Sequence, residues 1–221
     1  MKKLYTFLFS ILFAGAALFV SCTDFFSNSL APWAARDPDG LVPSVNTGNL
    51  DELMSLTENN PDMSLALLKR LEQAAGGASP ASKQLFQSAA LEVAVNAAGL
   101  GQAILGAASD LGSIDRDNVE DLVIDAINSM KNLDDAASIL LDILAGGFDM
   151  DDADPNNLAL AAVVLMAGEA KNAPDIEVYI KSFSPSTSGP TAQLAVTMAN
   201  RAVTNGISGP FADILDGLGL I

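Results

Sequence analysis

Carboxylates dominate the reactive side chains of this chain of 221 residues, which has 27 Asp and Glu residues, a single Cys and no His. Without histidine, the chain can form neither a Ser-His-Asp triad nor a Cys-His nucleophile pair, and with only one cysteine besides it cannot form a zinc finger. The Walker loop and the Ser-x-x-Lys and Gly-x-Ser-x-Gly motifs are missing. A carboxylate pair for glycoside hydrolysis stays open as an alternative, although few aromatic side chains could stack a sugar. We expect a protein that is not an enzyme and needs no cofactor.

The densest acidic segment is residues 148–157. Asp152, Asp154 and Asn156 have the alternate spacing of the first three ligands of a calcium loop, but the sixth and twelfth positions lack the Gly and Glu that an EF-hand needs. The candidate ligands for loose calcium binding are Asp149, Asp151, Asp152 and Asp154. The simpler interpretation is a solvated loop in which Asp154 caps a helix begun by Pro155, with no metal bound.

A glycine-rich segment, Gly99-Leu100-Gly101 with Gly106, has part of the spacing of a dinucleotide-binding loop. Ile104 stands where that loop needs a small residue, and a helical pattern precedes it where a strand is required. We therefore expect a break in a helix near residue 100 and no nucleotide site.

The single cysteine ends an apolar run. Lys2 and Lys3 precede Leu4–Val20, which are 17 residues without a charge, and Ser21 and Cys22 follow. A basic start, an apolar centre and a small residue before the cleavage point are typical of a secretory signal. The alternative is a transmembrane helix, for which 17 residues is close to the lower limit.

Phe19-Val20-Ser21-Cys22, preceded by Leu18, resembles the lipobox of bacterial lipoproteins in a relaxed form, because Phe19 replaces the usual Leu. The resemblance covers residues 1–22 only. It implies that residues 1–21 are a signal peptide and that Cys22 becomes an acylated N-terminus. It also implies an exported protein, anchored through acyl chains such as palmitate at the periplasmic face or in the outer membrane. An ordinary secretory signal with an incidental Cys is the alternative.

The composition of residues 22–48 predicts a tether between the anchor and the domain, because prolines and glycines disfavour regular structure. Phe25, Phe26 and Trp33 form a candidate docking patch for a membrane or a partner, since Phe and Trp are common interface anchors. The alternative is that this patch lies on the surface of the domain. Residues 49–221 predict a single domain.

From residue 49 onward, the apolar residues recur at helical spacing and the alternation typical of strands is missing. Capping residues followed by Pro or acidic residues predict where helices begin: Asn49 with Glu52, Asn60-Pro61, Ser79-Pro80, Asn132, Asp154-Pro155, Ala173-Pro174, Gly189-Pro190 and Gly209-Pro210. We predict an all-α fold of about nine or ten helices. They would form an array of antiparallel helical hairpins, either an α-solenoid or an irregular bundle.

Residues 61–71 resemble residues 174–184, so the array could contain a repeat. The tetratricopeptide consensus is missing, and any similarity to such arrays lies in the helical hairpins alone. The helix that begins at Pro80 carries a small-residue stripe, Ala90, Ala94 and Ala98, which predicts close packing at the centre of the domain. Gln84 is predicted to face solvent.

The negative net charge of the chain limits the classes of partner that it could bind. Removal of the signal would leave nine basic against 27 acidic residues, a net charge of −18. Such a chain repels nucleic acid and anionic lipid. Residues 117–170 hold twelve acidic residues and only Lys131 as a cation, so they could face a basic envelope protein or simply solvent. We predict a lipid-anchored interaction or scaffold module. The alternative is a carrier of an apolar ligand between Ala-rich helices, suggested by the all-apolar segment Leu158–Ala167.

Overall fold

The computed structural model describes residues 37–101, 119–184, 189–208, 212, 215 and 220–221. Within these residues the protein is all-α, with nine helices and no strand. The helices are α1 (Pro38–Leu41), α2 (Leu50–Thr57), α3 (Pro61–Gly76), α4 (Pro80–Ala98), α5 (Val119–Ser129), α6 (Leu133–Ala145), α7 (Pro155–Lys171), α8 (Ile176–Ser182) and α9 (Pro190–Thr204). The predicted fold class is therefore confirmed.

Proline at the first helical position starts α3, α4 and α7 as predicted, and a polar side chain caps each of them. Asn60 accepts a hydrogen bond from the N–H of Met63 at 3.1 Å, and Ser79 accepts one from the N–H of Ser82 at 3.4 Å. Each bond satisfies an N–H group that has no partner within its helix. Local sequence thus fixes where the three longest helices begin.

Asn49 and Asn132 precede α2 and α6 as predicted, but their side chains do not cap these helices. The Asn49 carboxamide instead organises the preceding turn, accepting from the N–H of Asn46 at 2.8 Å and donating to the carbonyl of Ser44 at 3.0 Å. The predicted capping box with Glu52 does not form. Asn132 donates to a carboxylate oxygen of Asp62 on α3 at 3.1 Å. Its side chain therefore binds a neighbouring helix instead of capping its own.

Helix α4 is the centre of the domain, as its sequence predicts, and packs against α3, α6 and α7. Ala90, Ala94 and Ala98 have no exposed surface at all. A side chain lining a space large enough for water would keep some accessible surface, so the stripe is in contact with neighbouring helices on every side. Small side chains permit this close approach of the helices.

Gln84 was predicted to face solvent; its side chain is partly exposed, but it also holds a loop of the domain. Its carboxamide donates to the carbonyl of Asp149 and accepts from the N–H of the same residue, the second bond being 3.1 Å long. One turn further along α4, Gln87 is 1% exposed and donates to the carbonyl of Ile143 at 2.8 Å. A polar stripe on α4 therefore binds the end of α6 and the loop after it.

Helix α7 contains the all-apolar segment Leu158–Ala167, and eight of its ten residues are buried. It crosses α6 so closely that a Cβ on Gly168 would lie 2.6 Å from the Cβ of Ala137. Helix α9 also packs against α7. The segment is the buried core helix that its composition favoured.

Residues 38–48 belong to the domain, whereas the sequence assigned them to the tether. Val42 and Val45 are buried, at 2% and 9% exposed. Arg70 on α3 donates to the carbonyls of Asp39 and Val42 at 2.9 and 3.2 Å, and Lys69 forms an ion pair with Asp39 at 3.0 Å. The compact unit begins at Pro38. A segment packed on α3 and an extended tether can both be rich in Pro and Gly, so composition alone did not distinguish them.

The two segments of similar sequence do not form equivalent helix pairs. Residues 61–71 begin α3, a helix of 16 residues that pairs with α4 along its length. Residues 174–184 contain α8, a helix of seven residues that contacts α7 and α5, while α9 packs mainly on α7. Pro61 is the first residue of α3, whereas α8 begins at Ile176 after its cap Asp175, so the start predicted at Ala173-Pro174 lies two residues too early and the similarity is not a structural repeat.

Candidate functional site

The predicted lipid-attachment and docking residues, Cys22, Phe25, Phe26 and Trp33, lie outside the described residues. They stay predictions from the sequence. The other candidate segments can be followed in the structure.

The glycine-rich segment ends helix α4. Gly99 has a φ of 74°, in the left-handed region, and its N–H donates to the carbonyls of Asn96 and Val95. This is a helix C-cap, which glycine favours because it has no side chain to clash. The expected break near residue 100 is thus present, and Ile104 and Gly106 lie outside the described residues.

The four candidate calcium ligands do not converge on one point in the structure. Asp149 accepts from the N–H of Asp151 at 3.0 Å, and Asp151 pairs with Arg201 of α9. Asp154 accepts from the second and third N–H groups of α7 at 2.9 and 3.0 Å, so it is the predicted helix cap. Asp152 is exposed. Among the described residues, no three Asp, Glu or Cys side chains converge to hold a metal ion.

The acidic loop is also fixed through its backbone. Besides the two hydrogen bonds with Gln84, the carboxamide of Asn205 donates to the carbonyls of Met150 and Ala153 at 3.0 and 3.1 Å. The loop therefore joins α4 to the end of α9. Its acidic residues serve first as structural acceptors and surface charges.

The Glu92 carboxylate on α4 is within electrostatic range of two carboxylates distant in sequence, Glu58 at the end of α2 and Asp154 at the start of α7. Burial raises the pKa of the Glu92 carboxyl above its usual value, and the negative charges of Glu58 and Asp154 raise it further. Sequence reasoning missed this grouping, because the spacing within any one helix contains no signal for it.

A second grouping joins α7 to α8. The Tyr179 hydroxyl donates to the sulfur of Met166 at 3.9 Å, and the Glu169 carboxylate lies near it. Burial raises the pKa of Tyr179 to about 12, helped by the negative charge of the nearby Glu169 carboxylate. The Oε2 atom of Glu169 is buried without a hydrogen-bond partner. Its Oε1 atom lies 3.2 Å from where a Cβ on Gly189 would stand, at the start of α9.

Every lysine and arginine side chain that the structure describes already has a partner. The ion pairs are Lys69–Asp39, Lys131–Asp62 and Arg201–Asp151, and the bonds to carbonyls are Lys83 to Gly146, Arg70 to Asp39 and Val42, and Lys171 to Met130. The Asp62 carboxyl has a lowered pKa, because Asn132 and then Lys131 donate hydrogen bonds to it.

No protein-family model, no curated protein and no solved structure matches this chain. In the described part of the chain, none of the helices has the length and apolar character needed to cross a membrane.

Proposed function

We propose that the protein is a lipid-anchored component of the bacterial cell envelope whose helical domain binds a basic partner protein. The observation that carries the proposal is the placement of the single Cys at the end of a 17-residue apolar run, in a segment that resembles a lipobox. An unpaired Cys in an exported protein is otherwise hard to explain. A mature chain with a net charge of −18 is repelled by anionic lipid, so acyl chains on Cys22 would hold it at the membrane.

The exposed face of α6 supports the choice of a basic partner. Asp135, Ser138 and Asp142 follow helical spacing and are all exposed, and Asp134 extends the negative charge at the start of the helix. Within the described part of the chain, no ion pair holds Asp135 or Asp142. Negative potential on such a face attracts a positively charged surface and speeds association, more strongly at low ionic strength.

The experiment that tests partner binding uses charge reversal at two matched places. In the double variant Asp135→Lys/Asp142→Lys the net charge rises by four, as it does in the control Asp51→Lys/Glu52→Lys on the exposed face of α2. Full-length proteins would be cross-linked in the native envelope, and the cross-linked proteins would be identified and counted by mass spectrometry.

We expect the α6 variant to lose a specific cross-linked protein that the wild type and the α2 variant keep. Recovery of that protein should also fall as the salt concentration rises. Equal recovery with all three proteins would contradict a partner surface on α6. Equal loss from both variants would show that only overall charge matters.

The apolar-ligand alternative gains no support from the described helices. A carrier needs a cavity, and Ala90 and Ala94 of α4 and Ala161 and Ala162 of α7 have no accessible surface that could line one.

A further inference from the structure

We propose that Asn205 is a site of spontaneous deamidation, and that conversion of its carboxamide to a carboxylate releases the acidic loop between α6 and α7 from the end of α9. Asn205 and Gly206 are the single Asn-Gly pair in the sequence, and they lie directly after α9. Deamidation at this place would occur with or without the lipid anchor and the partner.

Deamidation of an Asn-Gly pair needs only the backbone and water. The backbone nitrogen of Gly206 attacks the side-chain Cγ of Asn205 and forms an N–Cγ bond. The bond from Cγ to Nδ2 breaks, and ammonia leaves with the proton of the attacking nitrogen, so that a five-membered succinimide ring remains. Water then breaks one of the two C–N bonds of the ring, which leaves Asp or isoaspartate with a new carboxylate. Gly favours the first step, because it has no Cβ to hinder the approach of its nitrogen and its backbone is flexible.

The end of α9 favours glycine at the position that makes Asn205 reactive. Gly206 has a φ of 97°, in the left-handed region where a side chain is strained. Its N–H donates to the carbonyl of Val203 at 3.1 Å, and the N–H of Ile207 donates to the carbonyl of Ala202 at 2.9 Å. These are the two hydrogen bonds of a Schellman motif. Asn205 is half-buried and Gly206 is exposed, so water reaches the pair.

Three hydrogen bonds restrain the reaction in the folded protein. The Asn205 carboxamide donates to the carbonyls of Met150 and Ala153 at 3.0 and 3.1 Å, and the Gly206 N–H is bound to Val203. The carboxamide and the attacking nitrogen must both turn away from these partners before they can meet. Helix ends fray without unfolding of the rest of a domain, so the reaction proceeds from the frayed end of α9. Conversion in the folded protein is therefore slowed but not blocked.

The product cannot make the hydrogen bonds that the carboxamide makes. An ionised carboxylate only accepts hydrogen bonds, so at residue 205 it would lie against the carbonyl oxygens of Met150 and Ala153 with no donor between them. Arg201 lies one turn earlier on α9, where the new carboxylate would compete with Asp151 for its guanidinium. Isoaspartate also adds a methylene group to the backbone and so disrupts the end of α9. The loop then keeps its contacts with α4 and is released from α9.

Peptide mapping of the full-length protein by mass spectrometry tests the reaction. The protein is incubated at neutral pH, folded or in guanidinium chloride, and the Asn, Asp and isoaspartate forms of the peptide containing residue 205 are quantified over time. We expect conversion in both states, about thirtyfold more slowly in the folded protein, because two hydrogen bonds of the carboxamide must break first. Asn200, which precedes Arg201, should stay intact in both states.

Two results would overturn the proposed reaction. If Asn205 stays intact in the folded protein for more than about a hundred half-lives of the unfolded chain, well beyond the expected factor, it is not a deamidation site of the native protein. Equal rates in the two states would show that the carboxamide is not bound to the loop.

The variant Asn205→Asp imitates the product and tests its effect on the loop. The matched control is Asn200→Asp, which adds the same charge on α9 at an exposed side chain whose carboxamide donates within the helix, to the carbonyl of Val196. Hydrogen exchange of residues 148–154, measured by mass spectrometry, should rise about tenfold in Asn205→Asp, because the loop loses two hydrogen bonds, and stay unchanged in Asn200→Asp. Exchange of residues 158–167 on α7 should not change in either variant. Equal exchange of the loop in the two variants, or equal acceleration of the loop and α7 in Asn205→Asp, would show that conversion does not release the loop.

Discussion

Replacement of Gly168 by Ala should destabilise the domain, although Ala normally favours a helix over Gly. The change adds one methyl group at the place where α7 crosses α6. An ideal Cβ there would lie 2.6 Å from the Cβ of Ala137, whereas carbon atoms in contact prefer about 3.5–4.0 Å. The two helices would have to separate by about 1 Å, and this movement would disturb the buried residues on both sides.

The expected magnitude is the difference between two effects. Overpacking of a close-packed core typically costs about 1–3 kcal/mol, and the gain in helix propensity from Gly to Ala is about 1 kcal/mol. Gly168→Ala should therefore lower the free energy of unfolding by about 1 kcal/mol. The control is Gly76→Ala at the last residue of α3, where a Cβ would meet no atom within 4 Å. That variant should be neutral or stabilised by up to about 0.5–1 kcal/mol.

Urea unfolding followed by circular dichroism at 222 nm measures both variants. With a slope of about 2 kcal/mol per molar, the urea midpoints of the two variants should differ by about 0.5–1 M. The comparison requires that the slope is the same in wild type and variants. If Gly168→Ala raises the midpoint as much as Gly76→Ala does, α6 and α7 do not approach as closely as described, and the packing argument is refuted.

Three further changes test other parts of the account. Ala94→Leu should lower the free energy of unfolding by about 1–3 kcal/mol, because the buried stripe has no room for a larger side chain. Ala81→Leu, on the exposed first turn of the same helix, should change it by no more than about 0.5 kcal/mol. Equal urea midpoints for the two variants would contradict the close packing of the stripe. Gln84→Leu should cost about 1–2 kcal/mol, because two hydrogen bonds to the acidic loop are lost, and an unchanged midpoint would show that they contribute nothing. The pKa of Tyr179 is raised to about 12 from 10.0, so the stability it contributes is complete below pH 10 and is lost as the pH rises from 10 through 12. Ultraviolet titration of the phenolate should show this pKa, and Glu169→Gln should lower it; a wild-type pKa near 10 would refute the contact.

The sequence predicts those parts of the fold that depend on neighbouring residues. Asn60, Ser79 and Asp154 each stand before a proline, and each caps the helix that follows. The break after α4 follows from Gly99, and the central place of α4 follows from its small residues. These features need only local chemistry and helical spacing.

Features that depend on residues distant in sequence were not predictable in this way. Gln84 stands among polar residues on α4, and its bonds to Asp149 depend on where the loop after α6 returns. Val42 and Val45 are two apolar residues in a stretch rich in turn formers, and their burial depends on Arg70 binding the backbone beside them. The meeting of Glu169 with Tyr179 likewise depends on how α8 folds back onto α7.

The most direct test of the proposed lipid anchor is the intact mass of the protein purified from its native envelope, together with its partition between detergent and aqueous phases. The account predicts a chain that begins at Cys22, carries the added mass of acyl chains and enters the detergent phase. Cys22→Ser should keep residues 1–21 and lack the acyl mass. A wild-type protein that begins elsewhere, or that has no added mass and stays in the aqueous phase, would contradict the account.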